Sequence, residues 1–466
     1  MPRLALPGLA RAAAPVLTAL GSYMLAFTAF ADETGTAPAT SATPDPAIRS
    51  SAPPRVLRLA EVERAAIERQ PQVLVARAAS HLAEAQAEQA RAPLLPQVTA
   101  TGSYVRRTGN FAPGAVPGVN ASTRGWTLSE SFDTWNFGVN ATQLIYDFGQ
   151  GYQRYRAAES NTEAARIAEN TTRLQVLSAV RRTYFNARAM KELVDVARQT
   201  LDDQNRHLVQ VASFVQVGTQ PPIALAQQRA SVANAQVQLI TAENNYETAK
   251  AQLNQAAGFI GGTEYDVAND DLASIDDEDQ PLETLVAKAL AARPEIATLT
   301  KQRSAQEETV TSAKGGYGPT LSAAAGATDQ GTSLDSLVPN WNAGLILSWP
   351  FFQGGLTKGQ VHQAEAGLEN IDSQRGLVEL QVRLDVDSAR LAVRAAKATI
   401  GAANDALVSA REQLRLAEQR YATGVGNIIE LTDAQVAQTS AAAQVVQAHY
   451  GLASARAQLL AALGRT

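Results

Sequence analysis

Between Val382 and Ala462, alanine returns every seventh residue, and that spacing limits the possible folds more than any other feature of the chain. Apolar residues step by three and four through Val386, Ala389, Val393, Ala396, Ile400, Ala403, Leu407, Ala410, Leu414, Ala417 and Tyr421, which is a heptad pattern. One of its two seam positions is always alanine. Beyond Gly424 the pattern returns in Ala441, Ala448, Ala455 and Ala462, between Val445, Leu452 and Leu459. With no long side chain in the seam, two backbones can approach closely. A globular helix rarely keeps one register for about forty residues, so the pattern predicts a long antiparallel coiled-coil hairpin folded at Gly424.

The same seam occurs earlier, in Leu225, Val232, Ala235, Leu239, Ala242, Tyr246, Ala249, Leu253 and Ala256. A shift of 206 residues carries Ala235, Ala242, Ala249 and Ala256 onto Ala441, Ala448, Ala455 and Ala462. It also carries Gly149 onto Gly355, Gly218 onto Gly424 and Gly258 onto Gly464. Upstream the shift becomes 223, placing Pro71 on Pro294 and Pro96 on Pro319, so the first copy holds 17 extra residues before Gly149. A repeat of this size means one architectural unit used twice.

The chain has 466 residues, a formal net charge of −5 and only 6% aromatic residues. Abundant alanine and scarce aromatics suit thin coiled coils better than thick cores. The mild acidity gives no reason to expect nucleic acid as a partner. Without cysteine there is no disulfide framework or thiolate metal site. His81, His207, His362 and His449 are scattered over four helices and read as solvated, not as a metal set. No Gly-rich phosphate loop, metal-ligand spacing or nucleophile elbow appears. Neither a catalytic residue nor a cofactor is expected.

Residues 1–31 read as a secretory signal: Arg3 and Arg11 flank an apolar run, and Ala29-Phe30-Ala31 fits the cleavage rule. Residues 32–56 are rich in Ala, Thr, Ser and Pro and read as disordered. A short helix spans Leu57 to Gln70, and another starts at Pro71 and stops near Pro93 and Pro96. The period then changes to two. Val98, Ala100, Gly102 and Tyr104 alternate with Thr99, Thr101 and Ser103; Trp135, Phe137, Val139 and Ala141 alternate with Asn136, Gly138 and Asn140. The second copy alternates Leu321, Ala323, Ala325 and Ala327, then Trp341, Ala343, Leu345, Leu347 and Trp349, with small or polar residues. One apolar face on strands of this length suits a bilayer. Four strands cannot close a barrel alone, and lipid tolerates no open edge, so the chain must assemble. Three copies give twelve strands. Each strand pair leads into a helix of roughly 68 residues, on the order of 100 Å long. Between the copies, Asp276, Asp277, Glu278 and Asp279 form an acid run that reads as a solvated linker.

With these features in this order, the chain resembles the TolC-like outer-membrane efflux family, over about residues 57–464. The marks are the two-fold repeat, the helix–proline–strand junctions at Pro96 and Pro319, the strand-to-helix turns ending in Gly149 and Gly355, and the hairpin tips at Gly218 and Gly424. The resemblance implies a homotrimer in the cell outer membrane that extends into the periplasm. Its fold is a mixed α+β membrane protein: a trimeric β-barrel, four strands per chain, continued by a coiled-coil α-helical barrel. It implies a passive duct for tripartite efflux or type I secretion, contacting outer-membrane lipid, a periplasmic adaptor at the hairpin tips and an inner-membrane pump. The other readings of the residues are a periplasmic coiled-coil scaffold or adaptor without membrane strands, and a free-standing diffusion porin, against which the long helices argue because porin strands are joined by short turns. The division expected is a signal (1–31), a disordered segment (32–56) and a first repeat (57–258), with strands near 97–107 and 131–146 and a hairpin at 152–258. An acidic linker with an equatorial helix (259–293) precedes the second repeat (294–464), with strands near 319–328 and 339–349 and a hairpin at 356–464.

At the second tip, Glu430 and Asp433 are three residues apart and share a helix face. Three-fold symmetry turns them into six carboxylates around one axis, a ring that concentrates cations. In the family both positions match acids at the periplasmic entrance, and Ile429 matches an apolar constriction. Tyr421 matches a tyrosine that helps lock the closed entrance in the member that gives the family its name. Its basic partner position is Gly426 here, and the acid position is Ala224, so that lock cannot form.

Overall fold

The computed structural model describes residues 55–108, 131–270, 273–276 and 278–465. The expected signal, most of the N-terminal segment and the Gly-rich loop before the second strand lie outside these residues. Strand β1 (Arg55–Leu57) leads into helices α1 (Leu59–Arg69) and α2 (Pro71–Arg91), then strands β2 (Gln97–Thr108) and β3 (Ser131–Tyr146). The helices α3 (Gln150–Gln216) and α4 (Pro222–Ala257) form the first hairpin. Strand β4 (Tyr265–Val267) and helices α5 (Leu282–Ala292) and α6 (Pro294–Gly315) connect to strands β5 (Thr320–Gly331) and β6 (Val338–Ser348). The second hairpin is α7 (Leu356–Ala422) and α8 (Ile428–Ala462).

The heptad seam is where α7 meets α8. Val386, Ala389, Val393, Ala403, Leu407, Ala410, Ala417 and Tyr421 are buried, and Ala396, Ile400 and Leu414 are half-buried. On α8, Ala441, Ala448, Ala455, Leu459 and Ala462 face them. A second stripe on α8, with Val446, Tyr450 and Ala453, packs instead into the cluster of α3 around Val176, Val180, Tyr184 and Phe185. Two stripes on one helix are what allow two hairpins to lie side by side.

The four long strands make one antiparallel sheet in the order β2-β3-β5-β6. Register puts Thr99, Asn140, Gly326 and Asn342 in one row and Thr101, Gly138, Thr328 and Asn340 in another on the same face. The opposite face carries Ala100, Val139, Ala327 and Trp341 in a row. Gly326 has no room for a side chain, since a Cβ there would lie 2.4 Å from Asn140 Oδ1 and 2.8 Å from Asn342 Oδ1. A bulge between Leu144 and Tyr146 sets Tyr146 opposite Leu321, which returns β3 to the apolar face as it nears the helix. The edges β2 and β6 are unpaired in the single chain. Strand β6 is exposed along its whole length, with Trp341 83% exposed.

The hairpin bases are closed by two similar junctions. Gln70 Nε2 donates to the carbonyls of Gln255 (3.1 Å) and Ala256 (3.0 Å) at the end of α4. Arg293 Nε donates to the Ala462 carbonyl at 2.7 Å at the end of α8. Both side chains satisfy carbonyls that a helix end leaves open, and each immediately precedes the proline that starts the next helix. The backbone then passes so close that a Cβ on Gly258 would meet Gln70 Cα at 2.9 Å.

Three expectations need correction. Arg55 and Val56 are not disordered: with Leu57 they form β1, parallel to Tyr265–Val267, so α1 starts at Leu59 rather than Leu57. The short sheet is fastened by Asp270, whose Oδ2 accepts from Leu59 N and from the Tyr184 hydroxyl, both at 2.8 Å. Nor is the acid run wholly solvated. Glu278 is 3% exposed and pairs with Arg456 and, at 2.8 Å, with Lys397, which ties the loop to both helices of the second hairpin. Finally, His207 is not solvated: it is half-buried, with Nε2 3.5 Å from Glu418 Oε1 on α7.

Burial pushes the Glu278 pKa up, but the Arg456 and Lys397 partners outweigh it and hold the carboxyl below its usual value of 4.5. A depressed folded-state pKa contributes stability above the unfolded value that is lost as pH falls through the folded one. The acidic loop at Glu278 should therefore stay docked at neutral pH and undock as the pH falls through that depressed value, read as faster hydrogen exchange at Glu278. In the seam, Ala403→Leu should overpack the hairpin and destabilise it by about 1–3 kcal/mol, while Arg411→Leu on the exposed side should leave the melting temperature nearly unchanged.

Candidate functional site

Both hairpin tips use the same C-terminal device. At the end of α3, Gly218 adopts φ +77°, its N–H donates to the Val215 carbonyl at 3.1 Å, and Thr219 N donates to Phe214 O at 3.0 Å. At the end of α7, Gly424 adopts φ +75°, its N–H donates to Tyr421 O at 3.1 Å, and Val425 N donates to Arg420 O at 3.0 Å. This is the Schellman motif, which needs a left-handed residue and so favours glycine. The second tip folds tighter. A Cβ on Gly426 would lie 2.8 Å from Tyr421 N, so this position is closed to any side chain in this backbone. Asn427 then caps α8, its Oδ1 accepting from Ile429 N at 3.2 Å.

The two tips pack together around Tyr421. Val211, Ala224, Ala417, Tyr421, Leu431 and Ala434 form one apolar cluster, with Phe214 against it at a ring distance of 6.1 Å. Tyr421 is 2% exposed, and its hydroxyl finds no hydrogen-bond partner among the described residues. Burial pushes its pKa up. Ala224 brings no polar group to this cluster, so hairpin contact here is apolar.

Leu431 and Ala434 turn toward this cluster, which leaves the other predicted residues outside. Ile429 is 56% exposed, and Glu430 and Asp433 are exposed beside it. Ile429, Asp433 and Val436 follow one another at helical spacing on this exposed side. Glu430 is not a free acid: Arg420 Nε lies 3.3 Å from its Oε1. Val436 and Arg420 were missed from the sequence. Val436 lay seven residues beyond Ile429, a spacing that could have revealed it. The Arg420 contact depends on the tight turn at Gly426 and had no sequence signal. The strand-to-helix turns at Gly149 (φ +81°) and Gly355 (φ +89°) lie at the opposite ends of the long helices. At the first of them Asp147 caps α3 by accepting from Gly151 N at 2.6 Å.

A second missed group lies farther along the hairpins. Gln204, Gln228 and Gln435, from α3, α4 and α8, are all buried. Gln204 Nε2 donates to Gln435 Oε1 at 2.9 Å, and Gln228 Nε2 donates to Gln204 Oε1 at 2.8 Å. Gln228 was legible: it stands three residues after Leu225 and four before Val232, at a seam position where the heptad calls for an apolar residue.

The profile of the family described as outer membrane efflux protein matches residues 63–259 and 285–465. The chain belongs to the outer membrane efflux protein family. It is 25% identical over 399 residues to outer membrane protein TolC of Escherichia coli strain K12, covering 81% of this chain and 76% of that one. It is 27% identical over 403 residues to the pyoverdine export outer membrane protein OpmQ of Pseudomonas putida strain KT2440, covering 84% and 82%. The fold is that of the Campylobacter jejuni CmeC outer membrane channel, with a TM-score of 0.75 at 21% identity over 87% of this chain and 85% of that one. As a member of this family the chain is an outer-membrane protein with a mostly helical, TolC-like channel fold.

The unpartnered hydroxyl gives a direct test of the tip. Tyr421→Phe should leave stability unchanged or raise it by up to about 1 kcal/mol, because no bond is lost and a buried polar atom is removed. Tyr421→Ala should cost about 3–5 kcal/mol by opening a cavity. Thermal melts of both variants check this.

Proposed function

We propose that three copies of this chain form a passive duct through the outer membrane and periplasm, completed by an adaptor and an inner-membrane pump for tripartite efflux or type I secretion. The observation that carries this is the four-stranded sheet. It has an apolar face, a polar face and two open edges, and it runs straight into helices of 67 residues. Open edges need partners in lipid, and three sheets edge to edge supply them as a twelve-stranded barrel. Asn140, Asn342, Thr99 and Thr101 then line water, while Val139, Phe137 and Trp341 meet lipid. The two-fold repeat is supported by positive-φ glycines at 149 and 355, 218 and 424, and 258 and 464, each pair 206 residues apart. The paired closures by Gln70 and Arg293 support it too.

In this reading Ile429, Glu430 and Asp433 line the periplasmic entrance. Glu430 and Asp433 give six carboxylates around the axis, with Glu430 moderated by Arg420, and Ile429 supplies an apolar collar. Tyr421 holds the tips together from behind. Gly218 and Gly424 shape the tips that meet the adaptor, and Gly149 and Gly355 turn the barrel strands into the helices. No step requires catalysis or a cofactor.

Sedimentation with detergent correction should give three copies. A monomer that stays soluble in plain buffer would contradict the barrel. In planar bilayers, Glu430→Ala with Asp433→Ala should lower cation selectivity, while Arg420→Ala should raise it by freeing Glu430. Asp276→Asn with Asp279→Asn, at the acidic loop, should leave selectivity unchanged. If that loop variant alters selectivity and the double alanine does not, the entrance has been placed at the wrong end.

A further inference from the structure

Charge is divided unevenly over the surface of the hairpin helices. Glu430, Asp433 and Arg456 are the only charged side chains of α8: the acids lie at the tip, and Arg456 turns to Glu278 of the acidic loop at 2.5 Å. Helix α4 carries Arg229, Glu243, Glu247 and Lys250. Arg229 and Glu243 share one heptad line, on which Glu243 lies 3.5 Å from Arg198 of α3. Glu247 accepts from the Thr263 hydroxyl at 2.7 Å, and Lys250 donates to the Thr263 carbonyl at 2.9 Å, in the loop before β4. Another exposed line on each helix is amide and hydroxyl instead. On α8 the line that begins at Asp433 continues through Ser440, Gln444, Gln447 and Gln458. His449 stands off this line, edge-on to Tyr450 at 5.1 Å. On α4 the line holds Asn234, Gln238 and Thr241, which the 206-residue shift carries onto Ser440, Gln444 and Gln447. The two lines share one surface: Asn234 and Gln238 border a cleft of about 360 Å³ with Val436 and Ser440. On the other flank of α8, Gln444 and Gln447 border a cleft of about 650 Å³ with Ala396 and Thr399 of α7. Among the described residues, neither cleft is lined by a charged side chain.

We infer that this amide and hydroxyl surface of α4 and α8 is the inner wall of the duct, and that charge selection in the hairpins happens once, at the tip. A fixed charge in a wall attracts one sign of solute and repels the other. Amides and hydroxyls do neither, yet they offer donors and acceptors to water and to polar solutes. An apolar wall would favour dewetting of a narrow passage, and this wall stays wet. Past Asp433 the hairpin interior therefore suits hydrophilic solutes and sorts them by size rather than by charge. The inference rests on the duct reading above and names the class of solute that its wall accommodates.

Two neighbouring positions on α4 provide the test. Gln236 and Gln238 are both exposed, so a lysine at either is not buried. They point to opposite sides of the helix, Gln236 on the line of Arg229 and Glu243, and Gln238 on the uncharged line. On α8, Gln447 stands two heptads from Asp433, about 21 Å along the helix. That is about two Debye lengths at 0.1 M salt, so a charge placed there acts apart from the tip acids. With the full-length protein in planar bilayers, Gln238→Lys and Gln447→Lys should each lower the ratio of cation to anion permeability at least about threefold. Gln236→Lys should leave that ratio unchanged. The inference is overturned if Gln236→Lys shifts the ratio and Gln238→Lys does not, or if all three variants conduct with the wild-type ratio. A second measurement places Gln447→Lys in the Glu430→Ala, Asp433→Ala background, where it should turn the channel anion-selective. A channel that stays cation-selective there has a further charge filter in its wall, which also overturns the inference. A wild-type chain that forms no channel at all overturns the duct reading instead, so the two failures are distinguishable.

Discussion

A strand edge in hydrocarbon has no water to satisfy its N–H and C=O groups, and the rest of the proposed assembly follows from that rule. The sheet of β2, β3, β5 and β6 satisfies its inner strands and leaves two edges open. Helical hairpins have no such need, because each helix satisfies its own backbone. The chain therefore combines a part that cannot stand alone in lipid with a part that can stand in water. The glycine turns at Gly149 and Gly355 join them, each starting a 67-residue helix.

Within the helical part, small residues decide the spacing and large ones the contacts. Alanine on the α7–α8 seam brings two backbones close, while between α3 and α8 the larger Tyr450 accepts from Arg188 and donates to Glu192. At the tip, Tyr421 and Phe214 pack with Val211 and Leu431. Charged contacts fasten the loop and the tip: Glu278 holds the acidic loop to Arg456 and Lys397, and Arg420 leans on Glu430. Exposed pairs such as the last contribute little to stability.

Long periodic signals made most of this architecture legible. Positions such as Val386 and Ala403 repeat over so many turns that register leaves little choice, and the alternation from Val98 to Tyr104 fixed a strand face in the same way. Short or cooperative features were not legible. Strand β1 is three residues long, too short to show a period, and exists only because Tyr265–Val267 lies alongside. Four acids in a row read as solvated because the sequence does not show Arg456 and Lys397 waiting beneath Glu278. The heptad showed where α8 meets α7. It did not show that the neighbouring stripe, with Gln435 and Val446, meets a second hairpin.

The sheet joins residues that are far apart in the chain. Val139 sits opposite Ala327, with α3, α4, α5 and α6 between them. Loop-closure entropy opposes such a pairing until the intervening chain is already compact, and non-local β pairing is slow for that reason. Contacts inside each hairpin are local by comparison and need no such help. Helices are thus expected to form first and to bring the β3 and β5 ends together before those two strands pair. That order suits a protein whose strands meet lipid only at the end of their journey: the hydrophobic ribbon closes when its solvent is at hand.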